Sequence, residues 1–268
     1  MTLAFGPGAR VFSGLTIAGS NAVPNLITAH YAPPSFVEGE RLRLPEEEAR
    51  HAVRVLRRRP GDEVVVVDGE GGWYRVRLDR VDRKHASGII LERRENVGEP
   101  DHELIVGIAV LKNPNRFETF LEKAVELGVT AVAPLLTART EKSAVKAARA
   151  HRIMVAAMKQ CGRSRLPRLA PAEPFTAFLE AGPLEFGVIC HEKTGASAGL
   201  LTALRARPAA RRLCVLVGPE GGFRDDEVEA AERAGYRAVS LGPRRLRAET
   251  AGIAAVAAVM LARSDESR

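Results

Sequence analysis

The sequence predicts an α/β protein in two unequal parts, a small β-rich module followed by a larger domain on a mostly parallel sheet. Three observations carry that prediction. Between residues 31 and 98, short strand-like runs alternate with polar turns. Beyond residue 98 the pattern changes to continuous apolar runs separated by helices of 3.6-residue period. Near the carboxyl end, two such runs close in Gly-Pro loops that lead into helices. They are Leu216-Val217-Gly218-Pro219-Glu220-Gly221-Gly222-Phe223 and Leu241-Gly242-Pro243-Arg244-Arg245-Leu246-Arg247-Ala248-Glu249-Thr250-Ala251. Open α/β sheets bind ligands beyond the carboxyl ends of their strands, so two such loops can share one crevice.

The chain has 268 residues, 46% of them hydrophobic, enough for one large domain or two ordinary ones. No apolar run reaches membrane-spanning length, so a soluble, cytoplasmic protein with no membrane partner is expected. Cys161, Cys190 and Cys214 are widely spaced and form no Cys-x-x-Cys pair. They read as small buried thiols in a reducing compartment, and no metal is expected. The net charge of +7 suggests a polyanionic partner. From Arg139 to Arg168, nine basic residues stand against one acid, Glu141, a local +8 that leaves the remainder near neutral. So one-sided a segment points to phosphate binding.

In chain order, residues 1–30 carry one charge, Arg10, and lack the basic start and long apolar centre of a signal peptide. They read as a poorly ordered extension. Pro45-Glu46-Glu47-Glu48 opens a helix, with proline and acids where the first turn favours them. His51, on that helix, reads as a surface or hydrogen-bonded histidine rather than a catalyst. After the turn Pro60-Gly61-Asp62, Glu63–Val67 and Trp73–Leu78 form a hairpin around Asp68–Gly72, and Ala86–Leu91 adds a strand. Short antiparallel strands of this kind suit a small barrel that holds nucleic acid. Trp73 and Tyr74 either stack on bases or, the favoured alternative, pack one ring inside and leave the other half exposed.

Asn96–Asp101 reads as the linker. Leu104–Leu111 is an apolar strand, and Asn113-Pro114 caps and opens a helix with Phe117, Phe120, Leu121, Ala124 and Leu127 on one face. Gly128 ends it, and Val129–Leu136 is the next strand, completing a βαβ unit. Ala144–Cys161 is an amphipathic helix with a basic outer face. Gly162–Pro167 follows as a basic loop. Phe186–His191, Leu213–Val217 and Ala238–Leu241 are further strands. One helix starts at Asp225, and the last starts near Glu249. That last helix is apolar on so many sides from Ala251 to Leu261 that packing between two subunits would satisfy it.

The loop 218–222 lacks the Gly-x-Gly-x-x-Gly spacing and the Gly-Lys-Ser/Thr ending of phosphate-gripping loops. Its glycines instead let a ligand lie against bare backbone. A neutral pocket between apolar strands suits adenine and a thioether, S-adenosylmethionine among several options.

The two loop sequences, with Glu227 after the first, resemble the paired signatures of the RsmE family, 16S ribosomal RNA uracil-N3 methyltransferases of the SPOUT superfamily. Three further stretches agree: His51–Arg57 with Gly61-Asp62, Glu122–Val129, and Gln160–Pro167. The match runs over about residues 31–262. It implies a PUA-like β-barrel over 31–98 and a SPOUT domain with a deep trefoil knot over 99–268. It also implies a homodimer, S-adenosylmethionine as cofactor, and 16S rRNA of the small ribosomal subunit as partner. Carried over by position, the cofactor residues are His191, Glu192, Leu216, Val217, Gly218, Pro219, Glu220, Gly221, Leu241, Gly242, Leu246, Arg247 and Ala251. Arg247 is expected to stabilise charge on the uracil oxygens. Glu249 is either the proton acceptor or, as favoured, a structural partner of Arg247. Arg54, Arg57, Arg149, Arg163 and Arg165 are the expected RNA-phosphate contacts. Two departures bear on the loops: Arg224 stands where a small hydroxyl residue caps a helix, and Asn113-Pro114-Asn115 replaces a Lys-Gly-like turn. Competing readings are a SPOUT enzyme acting on another rRNA or tRNA position and an RNA-binding assembly protein without catalysis.

Overall fold

The computed structural model describes residues 28–142, 144–183, 185–192 and 199–264, so residues 1–27 of the expected extension lie outside it. The amino-terminal lobe comprises β1 (His30–Tyr31), β2 (Val37–Glu38), β3 (Arg41–Arg43), α1 (Glu46–Arg54), β4 (Glu63–Val67), β5 (Gly72–Val81) and β6 (Ala86–Glu95). Its six strands lie in the order β1-β4-β5-β6-β3-β2. The meander β4-β5-β6 is antiparallel, and β1 adds in parallel through His30 opposite Val66 and Tyr31 opposite Val67. His30 therefore belongs to the fold, although the sequence boundary put it in the extension; its side chain is buried. Alternation decides the rest: Val64 and Val66 face inward with Leu42, Val76 and Leu78 over the small helix residues Ala49 and Ala52.

The carboxyl-terminal lobe runs β7 (Glu103–Ala109), α2 (Pro114–Leu127), β8 (Ala131–Leu136), α3 (Ala147–Cys161), β9 (Arg168–Leu169), β10 (Glu173–Pro174), α4 (Phe175–Glu180), β11 (Phe186–Cys190), α5 (Leu200–Arg205), β12 (Arg212–Val217), α6 (Asp225–Arg233), β13 (Tyr236–Val239) and α7 (Ala248–Ser264). The sheet order is β10-β8-β7-β12-β11-β13 with β9 on β8, and every pairing is parallel. Parallel sheets need both faces covered. Leu104, Val106, Ile108, Leu213, Val215 and Val217 face the helices α2, α3, α5 and α7. The alternate residues Cys214 and Leu216 face α4 and α6. Asn113 caps α2, its side chain accepting from the Asn115 amide at 3.0 Å.

The last helix buries one stripe, including Gly252, Ala255, Val256 and Val259. Its other side is less covered than its apolar sequence suggests: Ile253 and Ala257 are half-buried and Leu261 is 69% exposed. Among the described residues, no helix is long and apolar enough to cross a membrane.

The lobes share a core. Val67, Trp73 and Val97 lie in the same apolar cluster as the β7 and α2 side chains. Trp73 is 2% exposed with the Arg94 guanidinium over its ring, so packing, not base stacking, is its role. Half-buried Tyr74 donates its hydroxyl to Asp68 at 3.0 Å. The β4-β5 turn is sewn to the loop after α3 by Leu166 N–H to Gly69 O (2.9 Å) and Gly71 N–H to Ser164 O (3.1 Å).

Candidate functional site

At the carboxyl ends of β11, β12 and β13 three loops meet around one cleft, open to solvent on one side. From β11 come Cys190, His191 and Glu192. Behind β12 the loop brings Val217 to Phe223. Beyond β13 it brings Leu241, Gly242, Arg244, Arg245 and Leu246, and the first turns of α7 add Ala248 and Ala251. Most of the expected cofactor residues therefore gather in one place, drawn from segments some sixty residues apart in sequence.

Local chemistry explains the loop shapes. Gly218 sits tightly against the turn: a Cβ there would lie 3.0 Å from the Phe223 amide nitrogen and 3.1 Å from its ring, so Phe223 would have to give way by a few tenths of an ångström. The turn folds back because Gly222 donates to Pro219 O at 2.8 Å, and Phe223 anchors it against Phe175, ring centroids 5.1 Å apart. Gly242 adopts φ +109°, open to glycine at little cost, and donates to Ser240 Oγ at 3.1 Å. Arg224 cannot accept the amide bond that a serine would at a helix start. Glu227 compensates with two bonds of 2.8 Å, one from the Arg224 amide and one from the Ala138 amide in the loop after β8.

Two expected residues are not part of the cleft wall. Leu216 is fully buried and points to the α4–α6 side of the sheet, where strand alternation sends it. Arg247 is exposed, between the cleft residues Leu246 and Ala248, and its carbonyl starts α7 by accepting from Ala251 N–H at 2.8 Å. Glu249 does not pair with Arg247. It is 9% exposed, its Oε1 lies 3.7 Å from Arg116 Nε on α2, and its Oε2 is buried with no hydrogen-bond partner.

Sequence reasoning missed Arg139, Cys190, Gly222, Phe223, Arg244, Arg245 and Ala248. Most of these lie inside or beside the quoted loops. Arg139 had no local signal: it arrives from the loop after β8 and donates to the Gly221 carbonyl. Desolvation raises the Cys190 thiol to about 12, so it stays protonated at neutral pH and is no nucleophile.

The basic segment looks different in space than in sequence. Arg163 is 3% exposed and bound to the Glu99 carboxylate at 2.6 Å, while its Nη1 donates to Val125 O and Val129 O at 2.8 and 3.0 Å. It holds the linker to α2 and is withdrawn as an RNA contact, because every face of its guanidinium is used inside the protein. Arg149 is exposed but holds Glu118 with two bonds of 2.5 and 2.7 Å. Arg165 is exposed and donates to Asn96 at 2.7 Å, while Lys159 and Arg168 pair with Glu48 and Glu103. Lys142, Lys146 and Arg152 stay exposed, with no ion pair among the described residues. The same holds for Arg54 and Arg57 at the end of α1.

A family model described as an RNA methyltransferase domain matches residues 98–260, and one described as an RNA methyltransferase PUA domain matches residues 44–91. The chain is 35% identical over 232 residues to the ribosomal RNA small subunit methyltransferase E of Synechocystis sp., covering 85% of this chain and 75% of that one. It is 27% identical over 223 residues to the protein of the same name in Bacillus subtilis, covering 80% and 87%. A crystal structure of ribosomal RNA small subunit methyltransferase E from Neisseria gonorrhoeae bound to S-adenosyl methionine matches with a TM-score of 0.78 at 32% identity, covering 88% of this chain and 97% of that one.

Proposed function

The chain belongs to the ribosomal RNA small subunit methyltransferase E family, and on that premise we propose that it transfers the methyl group of S-adenosylmethionine to N3 of a specific uridine in 16S ribosomal RNA. The observation that carries this reading is the three-loop cleft, which fits the donor's two ends. Val217, Leu241, Leu246 and Ala251 give it an apolar wall for adenine, and bare backbone at Gly218 allows close approach. At the rim, Glu192 and Glu220 stand among Arg139, Arg244 and Arg245, a mixed-charge edge suited to a zwitterionic amino-acid tail. When bound, the donor supplies an electrophilic methyl group on a sulfonium sulfur.

Uracil N3 lies on the pairing edge, so the base has to leave its stack to be reached. Its imide proton has to leave to solvent, which spreads negative charge over N3 and the ring oxygens, and that charge is neutralised when N3 takes the methyl group and the donor's S–CH3 bond breaks to leave a neutral thioether. Arg247, exposed beside the cleft, is suited to stabilise that charge. Glu249, held by Arg116, sets the first turn of α7 and so the position of Arg247 two residues earlier. The half-covered stripe of α7, with Ile253, Ala257 and Leu261, supports the homodimer reading. The trefoil threading of the three loops and a cytoplasmic location belong to the same reading. For RNA, the exposed Arg54, Arg57, Lys142, Lys146, Arg152 and Arg165 are the phosphate contacts.

Calorimetry with S-adenosylmethionine and with its demethylated product, followed by in vitro methylation of small-subunit particles with the modified nucleotide mapped, tests the proposal. Binding heat and a single new 3-methyluridine are expected. A methylated ribose or tRNA base would reassign the substrate, and absence of heat with both ligands would overturn the reading. Glu249→Gln should keep the shape of the pH–rate profile; loss of its acidic limb, the limb a carboxylate base gives when it is protonated at low pH, would make Glu249 the proton acceptor instead.

A further inference from the structure

Away from the cleft, where β1 and α1 meet α3, the fold gathers three metal-ligating side chains for which the proposed reaction has no use. We propose that His30, Glu48 and His51 form a binding site for one divalent transition-metal ion of the zinc type. Glu48 and His51 are three residues apart on α1 and so share a face, while His30 reaches them from β1. One ligand atom from each residue lies within 4.8 Å of the other two. The two imidazoles meet edge to face with centroids 6.1 Å apart.

The second observation is polar groups without partners. His30 is 1% exposed and its Nε2 has no hydrogen-bond partner; the buried Nδ1 of His51 has none either. A buried ring nitrogen left without a partner is costly, and two of the three candidate ligands each carry one. A water molecule could serve one of them. A metal ion would take a ring lone pair from each histidine and use the Glu48 carboxylate as well. Two imidazole nitrogens and one carboxylate oxygen are a borderline-soft donor set that suits zinc, with a fourth position open to water. In tetrahedral zinc, bonds of about 2.0–2.1 Å put donor atoms roughly 3.3 Å apart, so these side chains close inward by about 1–1.5 Å, within reach of rotation about their χ angles.

Glu48 is already shared. One oxygen takes the Lys159 ammonium and the other takes His30 Nδ1 at 3.0 Å. With the ion in place, the first oxygen keeps Lys159 as an outer partner and the second turns to the metal. The ammonium repels a dication, so Lys159 sets an upper limit on affinity. The ion would tie the strand that begins the described fold to the helix below it, a link spanning both lobes through Lys159.

The test uses the full chain after treatment with a chelator, titrated with Zn2+ in a calorimeter and with Co2+ in a spectrophotometer. Expected are saturation near one ion per chain, Co2+ visible bands without the near-ultraviolet absorption of a thiolate ligand, and a thermal midpoint that rises with Zn2+. His51→Asn, which leaves the His30–Glu48–Lys159 chain intact, should weaken binding about a hundredfold or more. Lys159→Met should tighten it. No saturable binding to the folded wild-type chain would overturn the proposal. So would thiolate absorption with Co2+, or unchanged affinity in His51→Asn.

Discussion

The three-loop cleft and the basic segment 139–168 were both prominent in the sequence, and folding treats them oppositely. The cleft loops largely keep their meaning in three dimensions: most residues of each motif remain neighbours around one space, with Leu216 and Arg247 outside its wall. The basic segment loses much of its apparent charge. Glu118, Glu48, Glu99 and Glu103, which lie 31 to 111 residues away in sequence, come to Arg149, Lys159, Arg163 and Arg168. A glycine motif encodes backbone shape, which is local. A charge excess encodes only a count, and its partners are chosen by topology.

That contrast can be broken or sharpened by substitution. The largest effect is expected inside the basic segment, from Arg163→Ala, which leaves Glu99 buried without its cation and should cost about 3–5 kcal/mol of stability. Chemical denaturation would measure it, and cofactor affinity of the folded fraction should be unchanged. If stability held and only RNA binding fell, Arg163 would be a surface contact after all. Next is Gly218→Val in the cleft, where even the Cβ would press on Phe223. Donor affinity should fall about a hundredfold, roughly 2.7 kcal/mol, with the fold retained by circular dichroism; an unchanged dissociation constant would place the donor elsewhere. Smaller is the joint change Lys146→Gln with Arg152→Gln. It should weaken RNA binding several-fold and lower the slope of log affinity against log salt by about 2, leaving donor binding alone. The smallest effect is expected from Arg149→Ala, because an exposed ion pair is worth about 0–1 kcal/mol and Glu118 already occupies the guanidinium. A salt slope as steeply reduced as in the double variant would show that Glu118 releases Arg149 to RNA.

The legibility of the fold follows the same division. Periodicity located the strand Glu63–Val67 and the helix Pro114–Leu127 with its Asn113 cap and Gly128 end, since each depends on its own few residues. It began α3 three residues early, at Ala144 rather than Ala147, because no side chain caps that end. It missed β9 and β10, two residues each, which exist only because β8 offers them an edge. In the site, apolar Leu216 looked equal to Val217 until the sheet gave them opposite faces. Glu249 looked like the partner of its near neighbour Arg247, yet the helix start carries Arg247 outward and α2 brings Arg116 instead.

The apolar cluster that holds both Trp73 and Val259 has a further consequence. A single cluster spanning two lobes leaves no hinge seam, so the spacing between any RNA grip on the first lobe and the cleft in the second is fixed in the manner of a caliper. Scanning calorimetry of the whole chain should give one endotherm, and either lobe expressed by itself should expose that interior and precipitate. Target choice would then be partly a matter of length: an RNA whose anchoring phosphates and reactive base stand the wrong distance apart is refused before any chemistry begins.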